Sequence, residues 1–238
     1  MSTAHESYSQ FGEDLIVREF FSQCTDGFFV EVGANDPVKF SQTWLLEQCG
    51  WTGLLVEPLA ERCARLRVAR QRSRVHQVAV GAPAQRGQLN LQVPPDDMFA
   101  SLCPRDKAPA AVKTETVQVK TLDDVLASEG DPSVDFLSID VEGLELEALQ
   151  GFSLARHRPR LLLMEDHLKS LAVHANLTAH GYELVKRTGC NNWYVPVGTP
   201  FPFSTWTERV RLWKRLRLNV PWNIARRRVV GLVRGRDD

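Results

Sequence analysis

The stretch from Phe28 to Pro58 limits what this chain can fold into more than any other. Phe28-Phe29-Val30-Glu31-Val32 and Gly53-Leu54-Leu55-Val56-Glu57 are apolar runs with a carboxylate at or beside the end, and Gly33-Ala34-Asn35-Asp36-Pro37 follows the first. Runs without polar alternation mark strands buried on both faces, as in a parallel sheet covered by helices. A helix-like stretch, Ser41 to Cys49, comes next, so the glycine turn falls where a parallel sheet opens its ligand crevice. Glu57 lies 26 residues beyond Glu31. An acid so placed can bind a ribose, because an ionised carboxylate only accepts and can take both vicinal O–H groups. On these residues alone, a generic strand, turn and helix with both glutamates solvated is the plain alternative.

The turn separates two cofactor classes. A dinucleotide fingerprint needs G-x-G-x-x-G so that backbone can close on a pyrophosphate, and the three positions here are Gly33, Asn35 and Val38. Glu31 would repel a diphosphate and attract a cationic amino-acid moiety. The expected ligand is therefore S-adenosylmethionine, with its positive sulfonium and ammonium, rather than a nicotinamide dinucleotide.

Apolar runs recur with helical stretches between them, the alternation of an α/β sheet. After an amphipathic segment around Leu15, Ile16, Phe20 and Phe21, strands are expected near Phe28 to Val32, Gly53 to Glu57, Arg74 to Val80, Val134 to Asp140 and Arg160 to Glu165. Helices are expected near Ser41 to Cys49, Leu59 to Ala69, Leu122 to Ala127, Leu144 to Gln150 and Leu168 to His180, and a closing hairpin over Tyr182 to Val195. Gly81 to Thr116 breaks the pattern with five prolines and reads as a lid, a substrate loop or a plain surface excursion.

A chain of 238 residues can hold one full core plus an appendage. The expected division is a domain over 1–204 and a tail over 205–238. The charges total 29 basic and 29 acidic, yet the tail alone has ten Lys/Arg against three acids. Trp206, Val210, Trp213 and Leu216 can share a helical face with Arg211, Lys214 and Arg215 opposite, and Trp222 to Val233 repeats the pattern beyond Pro221. Tryptophan and arginine so arranged suit an anionic membrane surface, while a face packed on the domain or on another subunit is the alternative. Nucleic acid is not an expected partner, because the remainder is acidic and no recognition motif accompanies the arginines. Five cysteines without a C-x-x-C pair point to a reducing compartment. The expected location is cytoplasmic, with or without membrane association.

Several blocks together resemble the FkbM-type S-adenosylmethionine-dependent methyltransferases: Tyr8-Ser9-Gln10-Phe11-Gly12-Glu13-Asp14, Val30 to Pro37 with Ser41-Gln42-Thr43, Gly50 to Pro58, Thr121-Leu122-Asp123-Asp124, and Asp135 to Gly143 with its Ile139-Asp140-Val141-Glu142-Gly143. The resemblance implies a Rossmann-like class I methyltransferase fold: α/β, a mostly parallel seven-stranded sheet with an antiparallel last strand, here with a basic C-terminal helical tail. It also implies that Glu31, Gly33, Asn35 and Asp36 line the methionine side, that Glu57 and Pro58 meet the ribose, that Asp140 faces the reacting centre, and that Ser101 approaches the cofactor. Pro37 stands where many relatives have glycine, which removes a backbone N–H. Ser41 and Thr43 are then the candidate donors to the cofactor carboxylate.

Methyl transfer from a sulfonium is an in-line displacement that needs alignment and removal of a hydroxyl proton. His167 is the preferred base, because imidazole ordinarily titrates near neutrality. Glu142 competes for that role, and Asp140, Glu165 and Asp166 sit at neighbouring strand ends. Those acids could also hold Mg²⁺, though a divalent metal is not predicted. The expected activity is O-methylation of a sugar hydroxyl in a glycan or glycolipid, by a monomer or an oligomer. A nicotinamide-dependent oxidoreductase and a non-catalytic scaffold at a membrane are the alternatives.

Overall fold

The computed structural model describes residues 6–93, 113–141, 143–168, 170–222 and 226. Its main sheet has seven strands: β1 (Phe28–Val32), β2 (Thr52–Val56), β3 (Ser73–His76), β7 (Phe136–Ile139), β8 (Leu161–Glu165), β9 (Tyr182–Thr188) and β10 (Asn191–Pro196), in the spatial order β3-β2-β1-β7-β8-β10-β9. The first five are parallel, and β10 runs antiparallel to both β8 and β9. This is the mostly parallel α/β sheet with a reversed last strand that the sequence led us to expect.

Strand alternation divides the core. Val30, Val32, Leu54, Val56, Leu137 and Ile139 point to one face, where they meet Leu122, Val125 and Leu126 of α4 (Leu122–Ser128) and Leu149 of α5 (Glu145–Gln150). Phe29, Leu55, Phe136 and Leu163 point to the other, against Val17 of α1 (Glu13–Phe20), Leu46 of α2 (Trp44–Gln48) and Leu66 of α3 (Ala60–Ala69). Reciprocal caps fix helix starts: Thr121 Oγ1 accepts from Asp124 N at 3.1 Å while Asp124 Oδ2 accepts from Thr121 N at 3.2 Å. The α4 start is thereby locked in place.

Register brings the functional edge level. Val32 pairs with Val56 and with Ile139, and Ile139 pairs with Met164, so Gly33, Glu57, Asp140 and Glu165 leave the sheet side by side. Strands lie about 4.8 Å apart, which sets the spacing of that row.

The stretch Arg74 to Val80 does not form one strand. Ser73–His76 joins the main sheet, while Ala79–Val80 (β4) joins a second, three-stranded sheet with β5 (Gly87–Val93) and β6 (Lys113–Lys120). The expected irregular insert is therefore sheet at its two ends, because alternating Leu89, Leu91 and Val93 pair antiparallel with Lys113 to Val117 and bury Leu91 and Val93 against Val117 and Val119. The stretch 94–112, with Ser101, lies outside the described residues.

Glu13, fully buried, ties the beginning of the described chain to its last hairpin. It accepts from Phe11 N at 2.8 Å, Thr188 Oγ1 at 2.9 Å and Asn191 Nδ2 at 2.8 Å. At the other end, the helix Trp206–Lys214 is pinned to β9 by Lys186 Nζ, which donates to Glu208 Oε1 at 2.8 Å. The helix passes into a π-helical turn at Arg215–Asn219, and the face that docks is not the one expected to be apolar. Leu212 and Val220 are buried, whereas Trp206, Trp213 and Trp222 are 78%, 58% and 71% exposed. Most of the second predicted tail helix lies outside the described residues.

Candidate active site

The site is built on the row of strand ends. Gly33 has φ +84, and a Cβ there would lie 1.9 Å from the Asp140 carbonyl oxygen, so glycine alone lets β1 and β7 approach this closely. Asn35, also left-handed at φ 48, turns its N–H onto Glu57 Oε2 at 3.0 Å, and Leu59 N donates to Glu57 Oε1 at 3.0 Å. Two of the roughly four acceptor positions of that carboxylate are thereby filled and two are left. Burial raises the Glu57 pKa, while Arg62 and the two backbone donors oppose the shift.

Glu31 and Glu57 are 4% and 1% exposed, which removes the alternative of solvated strand ends. Glu31 is held from below: Thr43 Oγ1 donates at 2.5 Å, Ser41 Oγ at 3.2 Å and Gln42 N at 2.8 Å. Arg70, itself buried, has Nη1 3.8 Å from Glu31, donates from Nε to Glu47 at 2.7 Å and from Nη2 to Thr43 Oγ1 at 2.8 Å. Ser41 and Thr43, the candidate donors to a cofactor carboxylate, thus direct their hydroxyls to Glu31. Asp36 braces the turn by accepting from Val38 N and Lys39 N.

Two cavities open over this edge. The larger, about 660 Å³, is lined by Gly33, Asn35, Glu57, Pro58, Arg62, Val78, Ala79, Val80, Leu91, Asp140 and others. The smaller, about 370 Å³, has Glu31, Gly33, Asn35, Lys39, Gln42 and Asp140 in its wall. Gly33, Asn35 and Asp140 belong to both, so the two cavities flank one turn. The larger is apolar towards Val78 to Val80 and ends at a buried acid, which suits a nucleoside. The smaller is polar and carries Glu31, which suits an ammonium group. The residues present therefore fit S-adenosylmethionine.

On the far side of Asp140 lie groups able to handle a hydroxyl. Glu165 Oε1 is 3.6 Å from Nε2 of the exposed His167. Burial raises the Asp166 pKa, and its Oδ1 accepts from Leu168 N at 2.7 Å. Glu142 lies outside the described residues. Among the described residues, no group of three or more His, Cys, Asp or Glu is arranged to hold a metal ion.

Three residues here were not singled out from sequence. Glu145, at the start of α5, accepts from Gly143 N at 2.7 Å and has its pKa raised to about 7, chiefly by burial and then by Glu165 and Asp166. Cys190 is pushed up to about 12 by burial and by neighbouring Glu165. Arg62 sits one turn before Leu66, so the only sequence signal was an arginine on the apolar stripe of α3.

A sequence model of the methyltransferase FkbM domain matches residues 31–184, a stretch that includes the row from Gly33 to Glu165. The chain belongs to the FkbM methyltransferase family. Methyl transfer from S-adenosylmethionine is the chemistry that membership supports. No curated protein matches this FkbM chain. Among solved structures, a precorrin-6Y C5,15-methyltransferase from Geobacter metallireducens is 12% identical, with the match covering 82% of this chain and 91% of that one at a TM-score of 0.43.

Proposed function

We propose that this FkbM protein transfers a methyl group from S-adenosylmethionine to a sugar hydroxyl of a glycan or glycolipid. The observation that carries the reading is the level row Glu57, Gly33, Asp140 and Glu165, with the larger, partly apolar cavity on one side and hydroxyl-handling groups on the other. S-adenosylmethionine bound there supplies a methyl carbon on positively charged sulfur. Glu57 holds the ribose, and Glu31 with Asn35 and Gly33 receives the amino-acid end. Asp140 accepts from the incoming hydroxyl and orients it. His167 takes the hydroxyl proton on a ring nitrogen, and Glu165, 3.6 Å away, stabilises the imidazolium that results.

The tail supports a membrane setting. Trp206, Trp213 and Trp222 stand exposed among Arg209, Arg211, Lys214 and Arg217, a pairing of amphipathic rings with cations that suits anionic headgroups. No helix among the described residues is long and apolar enough to cross a membrane, so the tail would lie on the surface.

Incubating the protein with methyl-labelled S-adenosylmethionine and cell-envelope glycans should place label on the glycan. Label confined to protein or small amines would overturn the sugar assignment. Co-sedimentation with phosphatidylglycerol vesicles, absent for phosphatidylcholine vesicles and lost in Trp206→Ala/Trp213→Ala, tests the tail.

A further inference from the structure

We infer that Arg62 is the donor half of a ribose clamp whose acceptor half is Glu57, an assignment that rests on the S-adenosylmethionine reading of the larger cavity. Arg62 is 5% exposed and lines that cavity beside Glu57, Pro58 and Val78. Among the described residues its Nε and Nη2 have no hydrogen-bond partner. Its Nη1 stands 3.8 Å from Glu57 Oε1, too far for a hydrogen bond. The long ion pair with Glu57 offsets part of the charge, but a buried guanidinium short of hydrogen bonds still carries a desolvation cost that a ligand oxygen would relieve. The arginine is therefore explained by what enters the cavity.

The chemistry of the pair selects the entrant. Glu57 retains about two acceptor positions after Asn35 N and Leu59 N are counted, and the guanidinium nitrogen beside them is Arg62 Nη1, 3.8 Å from Glu57 Oε1. A vicinal diol complements both, since each hydroxyl gives its proton to Glu57 and accepts an N–H from Arg62 on its oxygen. A phosphate would satisfy the guanidinium but would meet the Glu57 carboxylate at close range. The neutral diol of an adenosine ribose is the group that fits, and Arg62 makes the site specific for ribose over deoxyribose.

Calorimetric titration of the full chain with S-adenosylhomocysteine and with its 2′-deoxy and 3′-deoxy forms tests the clamp, in wild type and in Arg62→Met. In wild type, removing a hydroxyl should weaken binding by about 10- to 100-fold. Arg62→Met should weaken the parent ligand by a similar factor and shrink the deoxy penalty by about tenfold, because the hydroxyl has already lost its donor. A deoxy penalty unchanged within about twofold in Arg62→Met overturns the clamp while leaving the methyltransferase reading intact. A wild type that takes up no S-adenosylhomocysteine overturns that reading and the clamp with it, as does tighter binding of a 2′-phosphorylated dinucleotide. Should Arg62→Met fail to fold, the Nε–H resonance of Arg62 in ¹⁵N-labelled wild type decides. A downfield shift with S-adenosylhomocysteine but not with its 2′,3′-dideoxy form supports the clamp, and equal spectra refute it.

Discussion

Gly33→Ala should disable the site while leaving most of the fold in place. A Cβ at this position would fall 1.9 Å from the Asp140 carbonyl oxygen, and such contacts are not found below 3.0 Å, so the two must part by about 1 Å. The carbonyl cannot move alone, because Asp140 N donates to Val32 O at 3.0 Å, and Val32 pairs with both Val56 and Ile139. The strain therefore reaches Glu57 on one side and Asp140 on the other. Positive φ adds about 1 kcal/mol and the overpacking about 1–3 kcal/mol, which for a chain of this size corresponds to a melting point lower by roughly 5–15 °C. A displacement near 1 Å between donor and acceptor is expected to reduce kcat/KM by about 100-fold. Gly130→Ala is the control, since Gly130 also has positive φ, +80, but nothing within 4 Å of its Cβ position. It should lose only the conformational part, about 1 kcal/mol, and keep full activity. Calorimetric melting and S-adenosylhomocysteine titration measure both variants. Gly33→Ala binding that ligand within about threefold of wild type would refute the close-approach argument.

Three further outcomes follow from the same groups. Arg70→Leu leaves Glu31 and Glu47 buried without their cation and should cost about 3–5 kcal/mol in urea unfolding; a smaller loss would mean that the network is solvated. Glu145 titrates near 7 when folded against 4.5 ordinarily, so the folded state binds its proton more tightly and stability should fall as pH rises from about 4.5 to 7. Glu145→Gln should flatten that slope in melting curves, and an unchanged slope would count against the burial of its charge. His167→Gln should lower kcat by about 10²–10⁴ with little change in S-adenosylhomocysteine affinity, and retention of the wild-type pH–rate profile would remove His167 as the base.

The parallel core was legible because Phe28 to Val32, broken only at Glu31, and Gly53 to Val56 are apolar runs without polar alternation, and the reversed hairpin because Thr188-Gly189-Cys190-Asn191 carries turn chemistry. The division of Arg74 to Val80 between two sheets was not, since strand periodicity does not say which sheet a run joins. The partners of Arg70 lie 23 to 33 residues away, at Glu47, Thr43, Ser41 and Pro37, so helix spacing gave no hint of the charge network under the turn. The same limit hid Arg62 and Glu145: sequence shows an arginine and an acid, and only packing shows that each is enclosed. For the tail, helical spacing put Trp206 and Trp213 on one face with Val210 and Leu216 but could not say which face meets the domain; the Lys186–Glu208 contact turns Leu212, one turn beyond Glu208, inward and leaves both tryptophans exposed.

The buried bond between Glu13 and Asn191 spans 178 residues, and it governs the order in which this protein can be completed. At a synthesis rate of about 5–20 residues per second, the first helix waits roughly 10–35 s for the strand that receives its carboxylate. During that interval Val17 and Phe21 have no Trp193 or Phe201 to cover them. The apolar face of α1 thus stays without its final cover until the hairpin has been made.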